Sequence, residues 1–339
     1  MKIVWTGAAG FIAGYAIQEL LDAGHEVVGI DNFSKYGKLK KSYDNHPKYR
    51  FIEGDAKDVD LMKRLVTDAD VVVANAAMIG GVSYFQQFAY DILAENERIT
   101  ASTFDAAIWA HKCKQLQKIV IISSSAVYES TRQFPTPESS LTSTPPPIST
   151  YGFQKLSCEY FARGAFEQFQ LPYTIVRPFN CVGIGEKRAI YGKEVLSGNI
   201  RLAMSHVVPD LVHKVVKHQN PLRILGDGNQ TRSYIYCADL GVGIRLAIER
   251  PEALNNDFNL STSQATSVLE LAEQIWKKIN GDKPFAYESD KPFKFDVEHR
   301  IPDMTKTREV LGFEAKTSLD TMLDEVIPWV SEQVKLGNI

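Results

Sequence analysis

The sequence predicts an α/β protein: a doubly wound parallel sheet followed by a smaller mixed α/β C-terminal region. Three observations carry that reading. Short β-branched runs alternate with amphipathic stretches through the first 180 residues, a glycine-rich turn joins the first run to the first helix, and the alternation stops after about residue 180. A chain of 339 residues is long enough for two cores.

The strands come first. KIVWT (2–6), EVVGI (26–30), YRFIE (49–53), DVVVAN (70–75), KIVIIS (118–123) and YTIVRP (173–178) are largely apolar runs, as expected for parallel strands covered on both faces. Between the first two, Phe11, Ile12, Tyr15, Ala16 and Leu20 share a helical face that Gly24 closes. Helices are also expected over 85–111 and 151–169. Ligands of such sheets bind at the carboxyl ends of the strands.

Beyond residue 180 a loop-rich segment (181–200) leads to a helix (204–218), a strand at Leu222–Leu225, the turn GDGNQT and a strand-like RSYIYC. Helices over 267–279 and 318–335 complete this part, while the helix 238–249 and the strand 257–260 are expected to return to the main sheet. The expected division is therefore 1–180 with 238–260, and 181–237 with 261–339. The prolines of PTPESSLTSTPPPIST (135–150) exclude regular helix, so this segment is a loop that delivers the chain to Tyr151.

Composition excludes several classes. A net charge of −3 without basic clusters argues against nucleic-acid binding, and the apolar runs are too short to span a bilayer. MKIVWTG enters a strand without a signal-peptide pattern, and Cys113, Cys158, Cys181 and Cys237 show no metal-binding spacing. A cytoplasmic protein with inert thiols, no metal and no membrane partner is expected.

The chemistry gathers at the strand ends. In TGAAGFIAG (6–14), Gly7 permits a tight turn and Gly10 lets backbone approach a pyrophosphate at a helix N-terminus. Ala13 stands where a third glycine often lies. Asp31 ends the second strand 21 residues after Gly10, the place for a carboxylate that holds a ribose diol; it would repel a 2′-phosphate, which favours NAD over NADP. Asp55, in GDAKD, either reads an adenine edge or simply ends its strand. The small residues of ANAAMIGG (74–81) either let a flat ring lie against backbone or form an ordinary turn. Three serines in SSSAVY (123–128) are poor core material, since each buried hydroxyl needs a partner.

YGFQK sets Tyr151 and Lys155 one helical turn apart. The same spacing occurs at Tyr36/Lys40 and Tyr287/Lys291, but the former lies in a lysine-rich loop and Lys291 precedes a proline. Only Tyr151 opens an amphipathic helix, with Phe153, Leu156, Tyr160, Phe161, Ala165, Phe166 and Phe169 expected on its inner face. A lysine beside a phenol lowers its pKa towards proton exchange with a hydroxyl.

The set TGxxGFI, Asp31, Asp55, Asn75-Ala-Ala, SSSAVY and YxxxK resembles the extended short-chain dehydrogenase/reductase family, with its Rossmann-type domain. Within it the chain is similar to the nucleotide-sugar epimerases and dehydratases, UDP-glucose 4-epimerase-like members above all. RPFNCVG (177–183), GDGNQTRSYIYCADL (226–240) and RIPDMTKTREVLGF (300–313) match that family's signatures in order. The resemblance implies NAD contacts at Gly7, Gly10, Phe11, Ile12, Asp31, Asn32, Asp55, Ala56 and Ala76, with Tyr151 and Lys155. It makes Tyr151 the proton-transferring residue and Lys155 the partner of the nicotinamide ribose and the group that lowers the tyrosine pKa. Ser124 is the catalytic serine, ahead of Ser125. Asn180 contacts the sugar nucleotide, and Arg232 and Arg300 grip its diphosphate, a role that suits guanidinium forks.

The reaction implied is hydride transfer from C4 of a nucleotide-diphosphate sugar to NAD, giving a 4-keto sugar. Dehydratases and decarboxylases of the family carry an acidic residue just before VY, where Ser125 and Ala126 stand here. A C4 epimerase needs no such group and is the leading expectation. The alternative is a 4-keto-sugar reductase or 3,5-epimerase, because AAMIGGVSYF and SHVVPDL resemble the GDP-mannose 3,5-epimerases and GDP-fucose synthases. Their second acid/base would fall to Lys187, Lys193 or His206, and Ala126 replaces their cysteine. A dinucleotide-sensing protein would be expected to lose Ser124, Tyr151 and Lys155, and all three are present. By resemblance a homodimer is expected, through 85–111 and 151–169.

Overall fold

The computed structural model describes residues 1–79, 88–185, 206–291 and 297–338. Six of its strands follow the sequence pattern: β1 (Lys2–Thr6), β2 (Glu26–Asp31), β3 (Tyr49–Glu53), β4 (Val71–Ala74), β5 (Lys118–Ile122) and β6 (Tyr173–Pro178). With the strand Asn256–Leu260 they form one seven-stranded parallel sheet, ordered from that strand through β6, β5, β4, β1 and β2 to β3. The chain winds outward from β1 in one direction and, after β4, in the other. The strand order therefore reverses between β1 and β4, which opens a crevice above their carboxyl ends.

The sheet is covered on both faces, which is why β1, β2 and β5 are almost wholly buried and built from β-branched residues. On one face α1 (Phe11–Asp22) and the helix Cys237–Glu249 close a core around Ile3, Trp5, Ile17, Leu20, Ile244 and Phe258. On the other, α2 (Val59–Leu65), α3 (Ala89–Cys113) and α4 (Thr150–Phe169) close a second core around Val4, Met62, Phe104, Ala107, Ile119 and Ala162. A third core joins the helices Val207–Val216, Val268–Asn280 and Leu319–Lys335. Among the described residues no helix is long and apolar enough to cross a membrane.

Two expectations need correction. RSYIYC is not one strand: Thr231–Arg232 and Ile235–Tyr236 pair in different small sheets, and Cys237 already begins a helix. Nor do all the aromatic residues of α4 face inward. Phe153 and Tyr160 are exposed (48% and 63%), whereas Tyr151, Gln154, Lys155, Cys158, Glu159, Ala162 and Ala165 are buried. The apolar stripe and the chemically active stripe lie on adjacent sides of one helix, and the active stripe takes the interior because each of its polar groups finds a partner there.

Candidate active site

The glycine-rich turn is held from below. Gly7 adopts φ +74°, and its N–H and that of Ala8 donate to the Ile30 carbonyl at 2.9 and 3.1 Å. A Cβ at Gly7 would come within 2.8 Å of Ala76 Cα, and one at Gly10 within 3.0 Å of the Gly7 carbonyl oxygen. Gly10 is the N-cap of α1 and offers no capping side chain, so the first N–H groups of Phe11 and Ile12 point out of the helix end with its dipole behind them. This is a cradle for an anion. Asp31 stands beside it at the end of β2, its carboxylate accepting from the N–H groups of Phe33 (2.7 Å) and Ala9 (3.0 Å). Burial pushes the Asp31 carboxyl up, opposed by those two N–H groups and by Lys41. Asn32 donates to Asp55 at 3.2 Å, and Ala56 is buried beneath them. The narrow glycine turn, the exposed helix end and the carboxylate beside it are features that could hold a dinucleotide, whose pyrophosphate needs backbone N–H groups at close range.

Across the crevice, Ser124 caps a short 3-10 turn, Ser125–Tyr128, accepting from the Ala126 N–H at 3.1 Å. It is hydrogen-bonded to Tyr151 in the first turn of α4. The Tyr151 phenol is pushed up to about 12, chiefly by burial, with Ser124 and Arg300 pulling it down and Cys181 and Glu129 adding to the rise. Lys155 is buried one turn further on, and burial pulls its ammonium below the ordinary lysine value. Its Nζ donates to the Ile122 carbonyl at 2.9 Å.

The residues expected to meet the sugar nucleotide come from three segments. Asn180 donates one of its two amide N–H groups to the Ser233 carbonyl at 3.0 Å, which fixes the orientation of its side chain. Arg232 and Arg300 are register partners on adjacent parallel strands, Thr231–Arg232 and His299–Arg300, which sets two guanidinium stems side by side. Arg232 is buried and donates to the Thr231 carbonyl at 2.8 Å. Ser125 is buried within its turn, which leaves Ser124 as the hydroxyl aimed at Tyr151. His206 is the N-cap residue of the helix Val207–Val216 but makes no capping bond with its side chain. Lys187 and Lys193 lie outside the described residues.

Other polar residues, which fasten the segments around these strand ends, escaped the sequence reading. Thr6 is a fully buried hub: its hydroxyl donates to the Val73 carbonyl at 3.2 Å and accepts from the N–H groups of Asn75 and Ala76, both at 3.0 Å. It fixes the end of β4 against that of β1. Asn96 on α3 binds the backbone of Met78 through both amide atoms, at 2.6 and 3.0 Å. Arg177 lies fully buried in a salt bridge to Glu159 of α4, with Nε and Nη2 each 2.8 Å from a carboxylate oxygen. It also donates to Asp257 at 2.7 Å and Tyr128 at 2.5 Å, while Ser123 donates to Glu159 at 2.6 Å. Both ends of SSSAVY are thereby bound to one buried ion pair. An arginine inside the apolar run YTIVRP was the available signal, since a strand buries a charge only with a partner.

The comparisons with known proteins agree with this geometry. A model of the NAD dependent epimerase/dehydratase family matches residues 3–261, and the chain belongs to that family. Its cofactor is NAD. The chain is 30% identical to the UDP-glucose 4-epimerase of Halalkalibacterium halodurans, over 98% of this chain and 96% of that one. Among solved structures it is similar to the UDP-glucose 4-epimerase of Thermotoga maritima with UDP-glucose, at 27% identity and TM-score 0.80, covering 98% of this chain and 100% of the other. It is also similar to the UDP-glucuronic acid 4-epimerase of Bacillus cereus in complex with UDP-glucuronic acid and NAD, at 27% identity and TM-score 0.81, over 98% and 99% of the two chains.

Proposed function

We propose that the chain catalyses C4 epimerisation of a nucleotide-diphosphate hexose through a transient 4-keto sugar. The observation that carries this reading is the hydrogen-bonded pair of Ser124 and Tyr151 beyond the carboxyl end of β5, within the influence of Arg300, whose register partner is Arg232. The backbone of Gly10, Phe11 and Ile12 would hold the pyrophosphate of NAD, Asp31 a ribose and Lys155 the nicotinamide ribose. When bound, NAD supplies the acceptor and donor of hydride. Ser124 orients the C4 hydroxyl, Tyr151 removes its proton and later returns it, and the arginines hold the diphosphate while the sugar presents its other face.

Elimination of water needs a further acid or base. Ala126, just before VY, has none, and the carboxylate that acts on Tyr151, Glu129, has both oxygens bonded to Ser149. A 3,5-epimerase would require a second acid/base pair, and at the position of its cysteine stands the buried Ala126. Proton NMR in deuterium oxide tests the reading, with UDP-glucose, UDP-N-acetylglucosamine, UDP-glucuronate and GDP-mannose offered separately. A C4 epimer without incorporated deuterium is expected; deuterium at C3 or C5 would overturn it.

The enzyme is further proposed to be a cytoplasmic homodimer. Tyr90 on α3 and Phe153 and Tyr160 on α4 are exposed on two helices that pack side by side, and all four cysteines are free thiols. Sedimentation equilibrium should give twice the chain mass, and Tyr160→Glu should shift it to the monomer.

A further inference from the structure

We propose that Glu129 is a positioning residue of the reaction: its carboxylate ties the turn carrying Ser124 to the first turn of the helix carrying Tyr151, and so sets how the serine hydroxyl meets the phenol. This rests on the reading above that Ser124 and Tyr151 act on the C4 hydroxyl.

Glu129 follows the turn Ser125–Tyr128 directly, and its own N–H closes that turn onto the Ala126 carbonyl at 3.2 Å. Its side chain then takes Ser149 from two sides: Oε2 accepts the Ser149 N–H at 2.9 Å and Oε1 accepts the Ser149 hydroxyl at 2.6 Å. Ser149 is the N-cap of α4, and the same hydroxyl accepts the Gly152 N–H at 2.9 Å. An unbroken path of short bonds thus runs from the serine turn to the residue next to Tyr151. A charged acceptor makes these bonds stronger than neutral ones.

The surfaces joined in this way touch without an intervening side chain. A Cβ at Gly152 would come within 2.8 Å of the Ala126 carbonyl oxygen, 3.1 Å of Glu129 Cδ and 2.7 Å of Pro147 Cβ. Movement of the turn is therefore passed to Tyr151 rather than absorbed. The other end of the same segment is tied to the same helix, where Ser123 donates to Glu159 at 2.6 Å. Glu159 lies ten residues along α4 from Ser149, about 15 Å at the helical rise. Two fixed points that far apart define an orientation, which one alone would not.

Glu129 also faces the phenol with its charge. Among the described residues, the groups that act on the Tyr151 phenol include Ser124 from the turn, Arg300 from the strand His299–Arg300, Cys181 from the strand Cys181–Val182, and Glu129. Lys155, on the same helix, points to the Ile122 carbonyl. Glu129 and Cys181 hold the proton on the phenol, and Ser124 and Arg300 favour its release. Glu129 therefore fixes the geometry of proton transfer and opposes its onset, and two substitutions separate these effects. Glu129→Gln keeps the shape and removes the charge. Glu129→Asp keeps the charge and shortens the reach.

The test combines two measurements that need no sugar with two that do. Hydrogen exchange of the peptide 149–155 should quicken about tenfold in Glu129→Gln, Glu129→Asp and Ser149→Ala, at unchanged exchange in β1 and β5. The ring-carbon NMR signal of Tyr151, assigned with Tyr151→Phe, should move in Glu129→Gln. On the sugar nucleotide that the natural chain epimerises, kcat should fall about ten- to a hundredfold in both Glu129 variants, with KM little changed. The rising limb of the pH profile should move to lower pH in Glu129→Gln and stay in place in Glu129→Asp, a difference that a merely structural defect would not produce. Unchanged exchange and an unmoved Tyr151 signal in Glu129→Gln would overturn the proposal, as would faster exchange with undiminished kcat. If the natural chain converts none of the four sugars, the function proposed above fails, while the exchange and NMR data still decide whether Glu129 holds the turn.

Discussion

Arg177→Met removes the centre of the buried ionic network behind SSSAVY. The native guanidinium donates four hydrogen bonds of 2.5–2.8 Å to Glu159, Asp257 and Tyr128 and is fully buried, as is Glu159. Burial disfavours its charge, but Glu159, Tyr128 and Asp257 outweigh that and hold it well above the ordinary arginine value. Methionine fills much of the volume but leaves Glu159 with the Ser123 hydroxyl at 2.6 Å and Arg163 at 3.6 Å, and Asp257 with Lys306 at 2.6 Å. Removing one partner of a buried pair costs about 3–5 kcal/mol, a large part of a typical total stability of about 5–15 kcal/mol. A buried carboxylate deprived of its guanidinium binds a proton more readily in the folded than in the unfolded chain, so the variant should gain stability as pH falls from 7. Urea unfolding followed by circular dichroism should show the full loss at pH 7 and recovery of about 1–2 kcal/mol at pH 5.5. The double variant Arg177→Met/Glu159→Met should regain most of the loss, because no unpaired carboxylate is then buried at position 159. A loss below about 1 kcal/mol at pH 7, or one that ignores pH, would refute the reasoning.

Lys118 is buried with its ammonium on the Ala247 carbonyl at 3.0 Å, and burial lowers its pKa to about 8. The unfolded chain binds this proton more tightly, so the cost is fully present below pH 8 and fades as pH rises towards 10. Lys118→Met should remove that rise, a difference of about 3 kcal/mol between the two pH-stability curves. Tyr151→Phe should lower kcat by about 10²–10⁴-fold, and retained NAD, measured on the purified protein, should accompany the loss. Arg300→Ala should raise KM about ten- to a hundredfold with a smaller effect on kcat, the loss of one charge-assisted phosphate contact; an unchanged KM would remove Arg300 from the diphosphate site. Gly7→Ala places a side chain at φ +74° and 2.8 Å from Ala76 Cα, and should cost about 1–3 kcal/mol of stability along with NAD affinity, measured by thermal unfolding with and without NAD.

Much of the fold was legible because its determinants are local. A parallel strand covered on both faces must be apolar along its length, and a turn that passes backbone close to Ala76 must carry glycine, so KIVWTG announces both at once. That Tyr151 and Lys155 share one face of a helix was legible because one helical turn separates them, whereas Ser124 was singled out from its neighbours by resemblance alone. The inner face of α4 was misread for the converse reason. Periodicity locates a stripe of aromatic residues but does not say which neighbour covers it, and Phe153 and Tyr160 lost the interior to Glu159, Cys158 and Lys155, whose partners come from elsewhere in the chain.

The sequence by itself determined the alternation of strands and helices, the glycine turn after the first strand, and the helix that sets Tyr151 and Lys155 on one face, since each depends on residues a few positions apart. Only the tertiary structure decided that Arg232 and Arg300 stand in register, 68 positions apart; that Thr6 locks β1 to β4; and that Ser123, through Glu159, and Glu129, through Ser149, bind the two ends of the serine segment to α4. Those are pairings between distant segments. They exist because a polar group taken out of water must find a partner wherever the fold places one, and that partner's identity is not written in its neighbours along the chain.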